Sequence, residues 1–207
     1  MKKFFLSATL FFLSLNVPAK SMVEIWEALP DTMLPYIDRN HRLEMTEFLN
    51  MGLKGEVDHS LRGQSIMDTI TSNYIHLTLN ETVEMHIKRL SYHDGDSVLC
   101  VVKTWSAPDR ESDVYFYTQD WQRLDIPNPL ELYRTELRLS RPDSMSVDEW
   151  DTLASKVSFV LTGAALSASH DNLQVFQSVP LLSIEDRDKI RPLLMSVSLK
   201  WNGRAFE

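Results

Sequence analysis

Between Asn73 and Leu90 the chain reads NYIHLTLNETVEMHIKRL, and apolar and polar residues alternate through it with a period of two. Ile75, Leu77 and Leu79 alternate with Tyr74, His76 and Thr78. After a polar break, Val83, Met85 and Ile87 alternate with Glu84, His86 and Lys88. Successive side chains of an extended chain point to opposite faces, so each run predicts a half-buried strand. Matching the apolar faces pairs Leu79 with Val83 and leaves Asn80-Glu81-Thr82 as the turn. The next stretch, SYHDGDSVLCVVKTW, contains Asp94-Gly95, a two-residue hairpin signal. With that turn His93 opposes Asp96, Ile87 faces Val102 and Arg89 faces Cys100. Cys100 then shares the apolar face of Val83, Met85 and Ile87. A fourth strand, DVYFYTQDW, follows the polar loop SAPDRES.

Elsewhere the period lengthens. MVEIWEALP predicts one or two helical turns stopped by Pro30. NHRLEMTEFLNMG has Asn40 as N-cap, Met45, Phe48 and Leu49 at helical spacing, and Gly52 as a stop. The segment between Gly55 and Gly63 reads as polar loop. LELYRTELRL fits helix or strand. Ser146 to Glu149 forms a capping box that opens a helix to about Lys156. VSFVLTGAALSAS and LQVFQSV make a second hairpin around His170-Asp171-Asn172. Ser183 caps IEDRDKIRPLL, and Asn202-Gly203 marks a tight turn near the end. Runs of strands interrupted by separate helices predict an α+β fold, an antiparallel β-sheet meander with helices packed on one face. Leu90, Leu99 and Val101 fall opposite the assigned core face, so the second face is expected to be partly covered. Residues 20–126 and 127–207 each run helix, hairpin and strand to a tryptophan turn, FYTQDWQRL and LKWNGRAF, which suggests two related halves within one unit.

The N-terminus changes the picture of where this fold works. MKKFFLSATLFFLSLNVPAKS has a basic start, an apolar run from Phe4 to Leu15, and Val17 and Ala19 at the −3 and −1 positions of a cleavage site. That is the pattern of a secretory signal peptide over residues 1–19. The run is short of the roughly 20 residues a spanning helix needs, and no later stretch approaches that length without charges. Export to the periplasm or beyond is the expectation. Cleavage removes two lysines and no acid, moving the net charge from −8 to −10. Such an acidic chain has no electrostatic footprint for nucleic acid and none for anionic lipid.

The order of motifs resembles a family of exported Bacteroidales proteins known as domain of unknown function 3256. The resemblance rests on ALPDTMLPYI, NHRLEMTEF, SNYIHLTLNETVEMHIKRL, ESDVYFYTQDWQRL, RPDSMSVDEWDTL, VPLLSIEDRDKIRPLL and LKWNGRAF, which together span nearly the whole chain after residue 19. It implies export and a single structural unit, and no activity.

Candidate chemistry is sparse. Cys100 is the single cysteine, so no internal disulfide forms, and no cysteine follows the signal peptide to carry a lipid. A buried, inert thiol is the expectation. His76 and His86 oppose each other on the non-core face, with Lys103 beyond His86 and Glu84 and Tyr74 nearest. A zinc site wants three or four ligands and no spacing motif supplies them, so polar decoration is the reading. Glu56, Asp58 and His59 lie close in sequence without a nucleophile. Asp94 and Asp96 flank a glycine but lack calcium-loop spacing. Glu185 and Lys189 make an i,i+4 pair on a solvated helix face. No G-x-S-x-G, H-E-x-x-H or phosphate-binding glycine loop occurs. No catalytic, cofactor or metal residue is therefore assigned.

The aromatics Trp105, Tyr115, Tyr117 and Trp121 are the candidate binding face, since an exposed platform of rings stacks sugars or grips a protein. The alternative is that they fill a half-covered sheet face. The sequence thus favours a non-enzymatic exported interaction module for a protein or cell-envelope partner. A small-molecule or glycan binder comes second, and an envelope hydrolase third.

Overall fold

The computed structural model describes residues 20–93 and 95–207. The leader read from residues 1–19, and Asp94 of the expected hairpin turn, lie outside the described residues. The chain opens with α1 (Met22–Glu27), where Ser21 accepts from the Glu24 amide and Glu24 returns a bond to the Ser21 amide. Helix α2 (Arg39–Asn50) is capped by Asp38, which accepts from His41 N, rather than by Asn40. Asp38 satisfies a donor that the first turn leaves free, and Asn40 is already inside the helix.

Six strands follow as an antiparallel meander: β1 (Gly55–His59), β2 (Gly63–Ile70), β3 (Tyr74–Asn80), β4 (Val83–Tyr92), β5 (Asp96–Ser106) and β6 (Arg110–Tyr117). The segment read as polar loop is thus β1 and the start of β2. Strand β1 is short. In β2 the register shifts between Met67 and Thr69, which hides the period of two. Strand β6 ends at Tyr117, and Thr118 to Trp121 form a turn in which Trp121 adopts φ 61°.

The β3–β4 register is the expected one from Tyr74–Lys88 to Thr78–Glu84, including His76 opposite His86, and a shift at the end pairs Asn80 with Val83. The β4–β5 register differs by one residue. Tyr92 pairs with Asp96, so the turn spans three residues, with His93 at φ 26° and Gly95 at φ 97°. Ile87 then faces Val101, Cys100 faces Lys88, and Cys100 lies on the face opposite Val83, Met85 and Ile87. Val98 to Val102 are all buried, so their hydrophobicity carries no alternation from which a register follows.

After β6 come α3 (Glu131–Thr135), α4 (Val147–Ala154), β7 (Leu161–Leu166), β8 (Asn172–Ser178), α5 (Ile184–Ile190), a 3-10 turn (Arg191–Leu193) and β9 (Val197–Lys200). LELYRTELRL resolves as α3 followed by an extended segment, with Leu139 bridged to Leu194. Strands β7, β8 and β9 form a second antiparallel sheet. The fold is α+β.

Two main cores result. Met22, Ile25, Trp26, Leu29, Leu34, Ile37 and Met45 cover one face of the large sheet, meeting Met67, Ile75, Leu77, Met85, Ile87 and Val101. The small sheet covers part of the other face, with Ala164, Leu166, Leu173 and Val175 against Leu90, Val98, Cys100, Val102, Val114 and Phe116. Each fully buried aliphatic or aromatic side chain here contributes about 1.5–3 kcal/mol. A third cluster joins α4, α5 and the 3-10 turn through Leu153, Val179, Ile190 and Leu193.

Polar groups fix how the small sheet sits. Thr104 and Ser112, both buried, bond each other at 2.7 Å and engage the Ala164 backbone, Ser112 Oγ accepting from Ala164 N at 2.8 Å. Lys88, 1% exposed, donates to the Ser167 and Ala168 carbonyls at 3.1 and 3.0 Å. Strand β7 packs on β6, β5 and β4. Towards β1–β3 the same face opens into a cavity of about 800 Å³, lined by Arg62, Gln64, Ile66, Thr78, Asn80 and Thr82.

Candidate functional site

The β3–β4 hairpin puts Tyr74, His76, Glu84, His86 and Lys88 on the second face, since alternate residues of paired strands share a side. The irregularity in β2 brings Asp68 to the same place, where its Oδ2 accepts from His76 Nδ1 at 2.7 Å. Tyr74 Oη lies 2.7 Å from His86 Nδ1, and the two imidazole rings are 4.6 Å apart between centres. Glu84 lies between their outer nitrogens, 4.0 Å from His76 Nε2 and 3.8 Å from His86 Nε2. Arg110, at the start of β6, pairs with Glu84 and stacks 4.9 Å over the Phe176 ring. Phe176 in turn lies on Gly163, where a Cβ would stand 2.1 Å from the ring. Glycine is thus required there by close packing.

Burial shapes the electrostatics. His86 is 7% exposed, and its Nε2 is buried without a hydrogen-bond partner among the described residues. Burial lowers its pKa to about 4, the neighbouring His76 adds to the shift, and Asp68 opposes it. The ring is neutral at pH 7. Burial, with Asp68 second, pushes the Tyr74 phenol up to about 12. The site therefore presents a neutral imidazole, a protonated phenol and a carboxylate shared with Arg110.

The sequence names His76, His86, Glu84 and Tyr74 as neighbours, and the structure brings them together. It places Lys103 elsewhere: the one-residue change in register sets it opposite Met85 and Asp113, on the helix-covered face. Asp68 and Arg110 join them without being predicted from the sequence. Asp68 needs an irregular strand and Arg110 a partner two strands away, and neither leaves a local signal. Glu56, Asp58 and His59 do not converge. His59 packs on Tyr36, while Asp58 accepts from Gln64 Nε2 at 3.2 Å. Asp96 is exposed at the start of β5. The Glu185–Lys189 pair forms at 2.7 Å on an exposed helix face.

The four aromatics occupy different environments. Trp121 is 7% exposed and belongs to the first core, its indole N–H donating to the Ile25 carbonyl at 2.9 Å. Tyr115 and Tyr117 lie opposite Val114 and Phe116, half-buried against that core. The Arg123 guanidinium covers them, 4.1 Å from the Tyr115 ring centre and 5.6 Å from that of Tyr117. Trp105 is 38% exposed, with Lys103 Nζ 5.4 Å over its ring.

A six-stranded antiparallel meander, faced by helices on one side and by a three-stranded sheet on part of the other, defines an α+β class in which sheet faces bear the polar clusters. The chain belongs to the family described as protein of unknown function DUF3256, which matches residues 14–206. A domain of an uncharacterized protein from Porphyromonas gingivalis W83 has a similar fold, with a TM-score of 0.69 and 20% identity over 91% of this chain and 99% of that one. No curated protein sequence matches the chain. Among the described residues, no helix is long and apolar enough to cross a membrane.

Proposed function

We propose that the protein is exported, periplasmic or secreted, and serves as a non-enzymatic interaction module that takes a polar protein or envelope partner on the open part of the large sheet. The observation that carries this reading is the unequal cover of that sheet. One face is packed by α1 and α2, whereas over β1–β3 the other opens into a cavity of about 800 Å³. Its amide and hydroxyl side chains, Gln64, Asn80, Thr78 and Thr82, supply hydrogen bonds for a peptide or glycan chain. A hydrolytic reading gains a shifted imidazole at His86 but, among the described residues, no activated nucleophile beside it. The hydrogen-bond partner of that ring is Tyr74, held protonated by burial.

Crosslinking in the native envelope tests the proposal. Thr78→Arg with Gln64→Arg should abolish partner capture while leaving the melting temperature within a few degrees, because Gln64 is exposed and Thr78 only partly buried. Capture that survives both charges rules this face out. The second reading keeps the aromatic side, favoured by the exposure of Trp105 on the sheet face that also carries Tyr115 and Tyr117. It predicts instead that Trp105→Ser removes glycan or protein binding.

A further inference from the structure

We propose that His76, Glu84 and His86 bind one divalent transition-metal ion, with zinc the best chemical match. This replaces the expectation of a bare polar face, and it stands whether or not the open cavity takes a partner.

The three side chains converge. One ligand atom from each of the three side chains lies within 4.8 Å of the other two. Two come from directly opposed residues of neighbouring strands and the third from two positions along one of them, so the backbone ladder sets their spacing. Despite this closeness the three do not satisfy one another. The Glu84 oxygens stand 3.8 and 4.0 Å from the two Nε2 atoms, beyond hydrogen-bond reach. They surround a gap.

One ring nitrogen among them is orphaned. His86 Nε2 faces this gap from a side chain more than nine-tenths buried, and it has no hydrogen-bond partner among the described residues. A buried polar atom without a partner is costly and calls for an explanation. A cation in the gap supplies one.

Both imidazoles are supported from behind. His76 Nδ1 donates to Asp68 Oδ2 at 2.7 Å, which puts the proton on Nδ1 and leaves the lone pair on Nε2, 4.0 Å from Glu84. A carboxylate–histidine pair of this kind orients the ring and raises its basicity in metal sites. Tyr74 Oη stands 2.7 Å from Nδ1 of the other imidazole, and by accepting from Nδ1–H it frees the His86 Nε2 lone pair for the ion. Both rings therefore present Nε2 to the same point.

The donor set then selects the ion. Two imidazoles and one carboxylate suit zinc and its neighbours, whereas calcium and magnesium take oxygen ligands. Tetrahedral zinc with bonds of about 2.0–2.1 Å needs donor atoms roughly 3.3 Å apart. The present separations, up to 4.8 Å, must close by an ångström or so, which calls for rotation of the Glu84 carboxylate away from Arg110 and of the two imidazole rings. Three protein ligands leave a fourth position. Thr78 pairs with Glu84 and lines the cavity, so Glu84 lies next to the open face.

The test is titration of tag-free, chelator-treated mature protein with cobalt(II) followed by zinc. Wild type should take up one equivalent, with visible d–d absorption that zinc displaces, and calcium should not compete. His76→Ala and Glu84→Gln should abolish the absorption while circular dichroism shows an intact fold. Both positions are partly exposed, unlike His86. Asp68→Asn removes no ligand and should weaken binding about 10–100-fold. The proposal is overturned if folded wild type takes up no stoichiometric cobalt or zinc. It is also overturned if uptake persists in both folded ligand variants, or if Asp68→Asn leaves affinity unchanged.

Discussion

His86 sits where a proton is least welcome, inside a sheet face and beside a second imidazole. Its folded pKa of about 4 lies below the ordinary value of 6.5, with burial the first cause and His76 the second. Between those two values the unfolded ring takes up a proton that the folded ring refuses, so stability falls as pH drops from about 6.5 to about 4. The full shift corresponds to roughly 3 kcal/mol. Urea midpoints of the metal-free protein at pH 7.5 and 4.5 should show this loss, and His86→Gln should shrink it. An identical pH profile in the variant would refute the assignment. At this scale much was readable: the alternation in SNYIHLTLNETVEMHIKRL alone sets His76 against His86. Cys100 shows the limit. Its burial follows from residue type and strand context, and burial duly pushes the thiol pKa up. Its face depends on a turn, and the run from Val98 to Val102 is apolar on both sides.

Strands β4 and β5 are the hinge between the two cores, and Lys88 shows how an element serves both. Opposite Cys100 in the ladder, it reaches across to Ser167 and Ala168 beyond β7, with Asp171 Oδ1 3.4 Å from its Nζ. Its charge stays hydrogen-bonded inside the molecule, which is the condition for burying one. Lys88→Met keeps most of the volume but leaves two carbonyls and a carboxylate without their donor. A loss of about 1–3 kcal/mol is expected. Hydrogen exchange should localise the loosening to residues 161–178, and even protection across both sheets would show that the lysine does not anchor the small one. Elements with a clean period were legible in the sequence: β3, β4, β8, and the helices that begin at Ser146 and Ser183. Strands β1 and β2 were not. Five residues of GEVDH give too few alternations, and the shift at Asp68 breaks the pattern in the longer strand. That same irregularity delivers Asp68 to His76, so the feature that hid the strand completes the polar cluster.

At the scale of the whole molecule, α+β follows from the succession of periods, whereas the stacking of one sheet on part of the other rests on long-range contacts such as Ser112 with Ala164 and Trp201 with Phe116. The partial cover that leaves β1–β3 open is for that reason absent from any local pattern. The start of the fold is different, because local signals and tertiary contacts meet there. Ser21 caps α1, and Lys20 next to it is held three ways: its backbone N donates to Gln119 Oε1 at 3.1 Å, its carbonyl accepts from Arg89 at 2.7 Å, and its ammonium pairs with Asp120. If residues 1–19 are a leader, cleavage after Ala19 creates a new α-ammonium at Lys20. An amide oxygen already stands within bonding distance of that nitrogen, and the Asp120 carboxylate is in the same turn. The exported protein should therefore begin at Lys20 by intact-mass measurement, with α1 docked at once. Gln119→Ala with Asp120→Ala should loosen α1 in hydrogen exchange without moving the cleavage point, since the enzyme that removes a leader reads the Val17-Pro18-Ala19 side of the bond. A product starting elsewhere, or one retaining Phe4 to Leu15, would overturn both the leader and the export it implies.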